Sequence, residues 1–258
     1  MIISGIERYR RDLFAIINLL KAERKGEDHR TRINNFYNDQ AKHYDHFRKE
    51  LLKGRSELLQ ELDYMTPPNG CWWDLGAGTG YNLELTPNLS KFQVITLVDI
   101  CEPLLKIAEK RIAQLKATQN SCTYNILRHD LSLSCPAQFH GTADLVTFSY
   151  SLTMIPEWYR AVDFAQKLLK PGGTIGIVDF YVSREQPTSG KRHSFMTRRG
   201  WPIWFGIDGV ELSQDHLQYM KWKFREIKLK EELVKVPYLP LVRVPIYSFI
   251  GRKKESSD

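Results

Sequence analysis

Short apolar runs alternate with longer amphipathic stretches through the middle of this chain. The runs Cys71–Leu75, Gln93–Val98, Thr123–Leu127, Leu145–Ser149 and Thr174–Asp179 are rich in β-branched and aromatic residues, the pattern of strands buried on both faces. Between them, Pro103–Leu115 sets Leu104, Leu105, Ile107, Ala108, Ile112 and Leu115 at helical spacing. Glu157–Leu169 does the same until Lys170-Pro171-Gly172-Gly173 stops it. The succession βαβαβ predicts a doubly wound α/β domain, with a mostly parallel sheet and right-handed crossovers.

In such sheets ligands bind at the carboxyl ends of the strands, so the residues following each strand carry the functional information. The first strand runs into Asp74-Leu75-Gly76-Ala77-Gly78-Thr79-Gly80, where glycines let the backbone turn sharply and approach a ligand. Asp99 ends the second strand 19 residues after Gly80, and a carboxylate there can accept hydrogen bonds from ribose hydroxyls. Dinucleotide binding requires G-x-G-x-x-G. From Gly76 the third glycine would fall on Tyr81, and from Gly78 on Leu83, so both registers fail.

Composition narrows the class without naming a ligand. At 258 residues, 42% hydrophobic and 26% charged, the chain suits one globular domain with extra elements. The apolar run Leu13–Leu20 is too short to span a bilayer, and it lacks the cleavage site of a signal peptide. A cytoplasmic protein is expected. Cys71, Cys101, Cys122 and Cys135 have no C-x-x-C spacing and read as buried free thiols; no Cys/His cluster has metal-ligand spacing. The net charge of +7 is unevenly spread: 13 Lys/Arg against 8 Asp/Glu in residues 1–56, 9 against 13 in 57–182, and 15 against 9 in 183–258. Basic flanks of this kind suit a phosphate-bearing partner or simply a solvated face.

The glycine loop and its neighbours resemble the first motif of class I S-adenosylmethionine methyltransferases. His129-Asp130 after the third strand, Leu169-Lys170-Pro171-Gly172-Gly173 before the fifth and Ser149-Tyr150-Ser151-Leu152-Thr153-Met154-Ile155-Pro156 after the fourth extend the resemblance over about residues 40–253. It implies a seven-stranded Rossmann-like sheet, with Phe224–Lys230 and Pro245–Gly251 as the last two strands and one of them antiparallel. It also implies S-adenosylmethionine as cofactor, held by Tyr44, Arg55, Asp74, Gly76, Gly78, Gly80, Asp99, Ile100, His129, Asp130 and Ser149. Residues 1–65 are then a helical segment capping the cofactor site, and residues 66–258 the methyltransferase domain, with a substrate- or membrane-facing insertion around 183–222.

A narrower resemblance is to the N-methyltransferases of betaine-lipid synthesis, which methylate the amine of diacylglycerylhomoserine. It rests on His43-Tyr44-Asp45 with Gly54-Arg55, on the phrase after strand four, and on Val178-Asp179-Phe180-Tyr181-Val182-Ser183. Trp204-Phe205 with Asp208-Gly209-Val210, Val236-Pro237-Tyr238-Leu239-Pro240 and Arg243-Val244-Pro245 add to it. An amine attacks the sulfonium methyl only as the neutral base. Tyr150, Asp179 (with Tyr181) and His193 are the candidate catalytic groups, and positioning without a dedicated base is the alternative. Tyr150, Trp158, Trp201 and Trp204 could stabilise a quaternary ammonium product.

A lipid amine substrate implies peripheral contact with an anionic membrane. Between Ser183 and Ile207 five Lys/Arg and one acid are mixed with Phe195, Trp201, Trp204 and Phe205, while Ile6, Tyr9, Leu13, Ile16, Ile17 and Leu20 follow helical spacing. Nucleic acid is not expected as partner, because no N-P-P-Y or D-P-P-Y follows the fourth strand. A quinone or other small-molecule methyltransferase, and a non-catalytic membrane-binding module, are the alternative readings.

Overall fold

The computed structural model describes residues 52–118, 122–187, 190–207, 210–236 and 239–254. Within them seven strands form one sheet of order β3-β2-β1-β4-β5-β7-β6: β1 (Gly70–Leu75), β2 (Phe92–Asp99), β3 (Thr123–Arg128), β4 (Ala143–Ser149), β5 (Leu169–Phe180), β6 (Phe224–Val236) and β7 (Leu239–Lys253). The first five pair in parallel, and β7 runs antiparallel between β5 and β6. The expected Rossmann-like architecture is therefore present. Its strand order reverses between β1 and β4, which makes the carboxyl ends of those two strands the crevice for a ligand.

Among the described residues six α-helices accompany the sheet: α1 (Arg55–Met65), α2 (Asn82–Leu85), α3 (Glu102–Thr118), α4 (Trp158–Leu168), α5 (Phe195–Ile207) and α6 (His216–Lys223). Successive strand residues face opposite layers. On one face Trp72, Ile95, Leu97, Val178 and Ile246 pack with Leu58 and Leu62 of α1 and Ala108 and Ile112 of α3. On the other Trp73, Val146, Ile177 and Phe249 pack with Ala161, Phe164 and Leu168 of α4 and Leu217 and Met220 of α6. Helix α1 approaches the sheet closely because Gly176 has no side chain: a Cβ there would lie 2.3 Å from Leu62 Cδ1.

Three boundaries differ from the sequence reading. Lys170-Pro171-Gly172-Gly173 lies inside β5 rather than in a turn before it, at a register irregularity opposite Ala143/Leu145, with Gly172 at φ 70. Strands β6 and β7 are longer than their apolar runs. The extra length of β6 carries Glu231, Glu232 and Lys235 on an edge strand with little burial, and its only ladder partner is β7, so no apolar alternation marks it.

The four cysteines are free, and burial pushes Cys101 up to about 12 and Cys122 and Cys135 to about 11, so these thiols stay protonated and inert. Among the described residues no helix is long and apolar enough to cross a membrane, and no group of His, Cys, Asp and Glu could hold a metal ion.

His216 of α6 is wholly buried, 4.6 Å from the ring of Trp158, and burial holds its pKa down from 6.5 to about 3 against the opposing pull of Asp215. The unfolded chain takes up this proton first, so His216 removes stability as pH falls from 6.5 towards 3. Asp74 and Asp179, raised by burial from 3.8 to about 6, act in the opposite sense: their folded forms bind protons first and gain stability as pH falls from about 6 to 3.8. Thermal melts across this range should show a shallower acid decline for His216→Gln than for the wild type; parallel curves would mean that His216 does not set the acid limit.

Candidate cofactor and acceptor site

The end of β1 is fixed by a buried carboxylate. Asp74 Oδ1 accepts from Thr147 Oγ at 2.6 Å, and both oxygens lie within 3.1 Å of Asn82 Nδ2. Thr147 Oγ in turn accepts from Trp72 Nε1 at 2.8 Å. One acid thus joins β1, β4 and the start of α2 across the glycine loop. Burial pushes its pKa up to about 6, while the Thr147 and Asn82 hydrogen bonds and the Arg55 charge oppose the shift.

Within the loop the glycines serve different ends. Gly76, at φ 68, lies so close to the turn after β4 that a Cβ would fall 2.4 Å from Ser151 Cβ. Ser151 Oγ is itself donated to the Leu75 carbonyl at 3.0 Å. Gly80 packs against Leu97 and Ala108, the strand and helix beyond. Gly78, at φ 55, has only Leu104 Cδ1 at 3.7 Å near its missing Cβ, so the loop there faces open space. Its N–H is donated to Asp99 Oδ2 at 2.8 Å, and Cys101 N–H to Asp99 Oδ1 at 2.8 Å. A carboxylate at the end of β2 beside the glycine loop is an acceptor of the kind ribose hydroxyls require.

Around this loop the other expected residues fall as follows. Arg55 opens α1, buried, with its guanidinium 5.1 Å from the centre of the Tyr81 ring; Arg111 lies 5.4 Å from the same centre. Ile100 follows Asp99 and is partly exposed. His129 N–H is donated to the Asp99 carbonyl at 3.1 Å, its ring lies 5.3 Å from Phe164, and burial lowers its pKa. Asp130 Oδ1 accepts from the Ser132 N–H and hydroxyl, which fixes the turn after β3. Tyr44 lies outside the described residues, as does most of the segment 1–65.

Two polar atoms at strand ends are buried and lack a hydrogen bond: Ser149 Oγ at the end of β4 and His129 Nε2 just after β3. An unsatisfied buried polar atom costs about 1–3 kcal/mol, so a polar ligand is the natural complement. An open glycine cradle, a ribose-competent carboxylate and orphan polar atoms fit an adenosine-bearing amino acid.

A family described as a methyltransferase domain matches residues 44–223. The chain belongs to that family. The cofactor of this methyltransferase domain is S-adenosylmethionine. A stretch of 83 residues is 32% identical to YbcY, an uncharacterised protein of Escherichia coli strain K12, and covers 32% of this chain and 38% of that protein. Among solved structures, one from Galdieria sulphuraria described as a sarcosine dimethylglycine methyltransferase superposes with TM-score 0.60 at 13% identity, over 84% of this chain and 98% of that one. The Haemonchus contortus phosphoethanolamine N-methyltransferase 2, solved with phosphomonomethylethanolamine and S-adenosylhomocysteine, superposes with TM-score 0.53 at 14% identity, over 73% and 50%. These two share the fold.

The three candidate catalytic groups all have internal partners. Tyr150, strained at φ 56, donates its hydroxyl to the Lys53 carbonyl at 2.5 Å, and burial raises its pKa well above 10. Asp179 is 0% exposed, and accepts from Thr153 Oγ at 2.8 Å and Phe180 N–H at 2.8 Å. His193 Nδ1 accepts the Ser183 N–H at 3.0 Å, which leaves the proton of the neutral ring on Nε2; taking up another would break that bond.

An aromatic run that the sequence did not order lies beside them. Tyr150 and Phe180 rings are 4.7 Å apart, Phe180 and Phe205 4.9 Å, Phe205 and Trp201 5.5 Å, and Trp201 and Trp204 6.3 Å. Trp158 belongs elsewhere, against His216 and Tyr219 on the opposite face. Asn82 and Thr147 also escaped the sequence reading, although a polar residue set between apolar ones inside a strand, as Thr147 is between Val146 and Phe148, signals a buried partner.

Asp99→Asn sets one amide hydrogen against a backbone N–H and loses a charge-assisted bond of about 1.5–3 kcal/mol. Calorimetry should show S-adenosylmethionine bound roughly 10–100-fold more weakly; unchanged affinity would remove Asp99 from the site. Gly76→Ala should lower the melting temperature through the Ser151 clash. Gly78→Ala should cost only the backbone strain of about 1–2 kcal/mol while abolishing cofactor binding; a Gly78→Ala protein that binds cofactor normally would show that the open space is not the cradle.

Proposed function

We propose that this protein is an S-adenosylmethionine-dependent N-methyltransferase that adds methyl groups to the amine of diacylglycerylhomoserine, forming a betaine lipid. The observation that carries the amine reading is the aromatic run from Tyr150 and Phe180 at the ends of β4 and β5 to Trp201 and Trp204 of α5. Successive methylation leaves a permanent cation, and aromatic faces attract such a cation by about 0.5–2 kcal/mol. The names of the two structural neighbours, a phosphoethanolamine and a sarcosine dimethylglycine methyltransferase, also refer to amines. The lipid acceptor itself is supported by the sequence resemblance and by the insertion that supplies Trp201 and Trp204.

Bound S-adenosylmethionine supplies an electrophilic sulfonium methyl. Arg55 would meet its carboxylate, Asp99 its ribose hydroxyls, and Asp130 and Ser149 its remaining polar groups. Tyr150, Asp179 and His193 act by shaping the acceptor mouth, since each already has an internal partner. Rate then comes mainly from holding amine and methyl in line, an effect worth about 7–11 kcal/mol for well-oriented pairs.

Purified protein with labelled S-adenosylmethionine and diacylglycerylhomoserine in mixed micelles should give mono-, di- and trimethyl products by mass spectrometry. Phe205→Ala should slow the later transfers more than the first. Absence of transfer in a preparation that binds cofactor would exclude this acceptor.

A further inference from the structure

The helix that completes the aromatic run has a second face. Helix α5 is pinned at both ends: Ser183 and His193 exchange two hydrogen bonds before it, at 3.0 and 2.8 Å, and Glu211 N–H after it is donated to the Thr153 carbonyl at 2.8 Å. Ser183 follows β5 and Thr153 follows β4, so α5 lies across the strand ends where the acceptor arrives. Its inner side sets Trp201 and Phe205 against the core.

Its outer side remains bare. Phe195, Met196 and Ile203 are 64%, 76% and 71% exposed, and helical spacing gathers them on one face with Arg199 between, while Trp204, 47% exposed, lies at the edge of that face against Trp201. A contiguous apolar patch of this kind is unusual on a monomer and marks an interaction surface. The charges around it are mostly basic. Arg184 and Arg198 are paired with Asp215 and Glu185. Arg192 and Arg199 have no carboxylate partner among the described residues, while Lys191 donates its Nζ to the Glu231 carbonyl and its backbone N–H to the Glu231 carboxylate. A convex helix with large apolar side chains, rimmed by uncompensated cations in a chain of net charge +7, complements an anionic lipid surface.

We propose that α5 docks this protein on anionic bilayers. Phe195, Met196 and Ile203 enter the acyl boundary, Arg192 and Arg199 meet lipid phosphates, and the aromatic run that ends in Trp204 receives the amine directly from the surface. The inference rests on the lipid-acceptor reading above. It assigns the docking to this helix rather than to the amphipathic pattern of Ile6 to Leu20 or to basic residues in general.

The test is co-sedimentation of the full chain with vesicles of phosphatidylcholine alone and of phosphatidylcholine with phosphatidylglycerol. The wild type is expected to pellet with the anionic vesicles and much less with the neutral ones. Met196→Glu/Ile203→Glu should reduce that partitioning by about tenfold or more, since each carboxylate must be kept from the apolar boundary. Its calorimetric affinity for S-adenosylmethionine should remain unchanged, showing that the fold is intact. Arg192→Glu/Arg199→Glu should weaken the anionic preference specifically. Wild-type protein that stays in the supernatant would overturn the proposal, as would a double variant that pellets like wild type. Sedimentation velocity showing a dimer that the same variant dissolves would reassign the face to a second copy of the chain. Methylation of diacylglycerylhomoserine in micelles by a protein that ignores vesicles would leave the enzyme reading standing and remove only the docking. Vesicle binding without methylation would do the reverse.

Discussion

The hydrogen-bonded burial of Asp74 is the constraint on which the cofactor side depends. A carboxylate with 1% exposure is tolerable only if its oxygens are satisfied, and the groups that satisfy it come from β4 and from the start of α2. Meeting that need brings Thr147 and Asn82 to one point and bends the intervening chain through Gly76, Gly78 and Gly80. The loop closes over nothing at Gly78, because its neighbours are already fixed: Gly76 by Ser151, Gly80 by Leu97 and Ala108, and the Gly78 N–H by Asp99. A cradle held on all sides by the protein is formed before the cofactor arrives, which lowers the ordering cost of binding.

The ends of β4 and β5 are closed by different means. They depend on the insertion between β5 and β6, whose helix α5 is held by paired hydrogen bonds and by stacking of Phe205 on Phe180. Asp179 has the structural part here that Asp74 has on the other side: buried, raised to about 6, and accepting from Thr153 so that the turn after β4 stays against the end of β5. The separation is economical for a transferase family. The central strands preserve the geometry of the methyl donor, while the insertion can change its aromatic and exposed residues to suit another acceptor.

The titratable groups near the acceptor side gain their shifted pKa values from burial, and their protons and lone pairs already have internal partners. Perturbed values are often taken as marks of catalysis. In this site the same perturbation accompanies structural duty: Tyr150 ties β4 to Lys53, His193 ties α5 to Ser183, and Asp179 ties two strand ends together.

The order of strands and helices, the parallel core and the glycine loop were legible in the sequence, because buried parallel strands must be continuously apolar and a tight approach to a ligand must lack a Cβ. The edge strand β6 was only half legible, since a strand with one ladder partner and a largely solvated surface has no hydrophobic alternation to betray it. Which aromatics gather beside the ends of β4 and β5 was not legible: Trp158 and Trp201 look alike in sequence, yet they pack against opposite faces of the sheet. The internal partners of Tyr150, Asp179 and His193 likewise join residues from 10 to 97 positions apart. Local pattern fixes which residues form elements. Only the packing of those elements decides which polar atoms are left for a ligand and which are used to hold the fold.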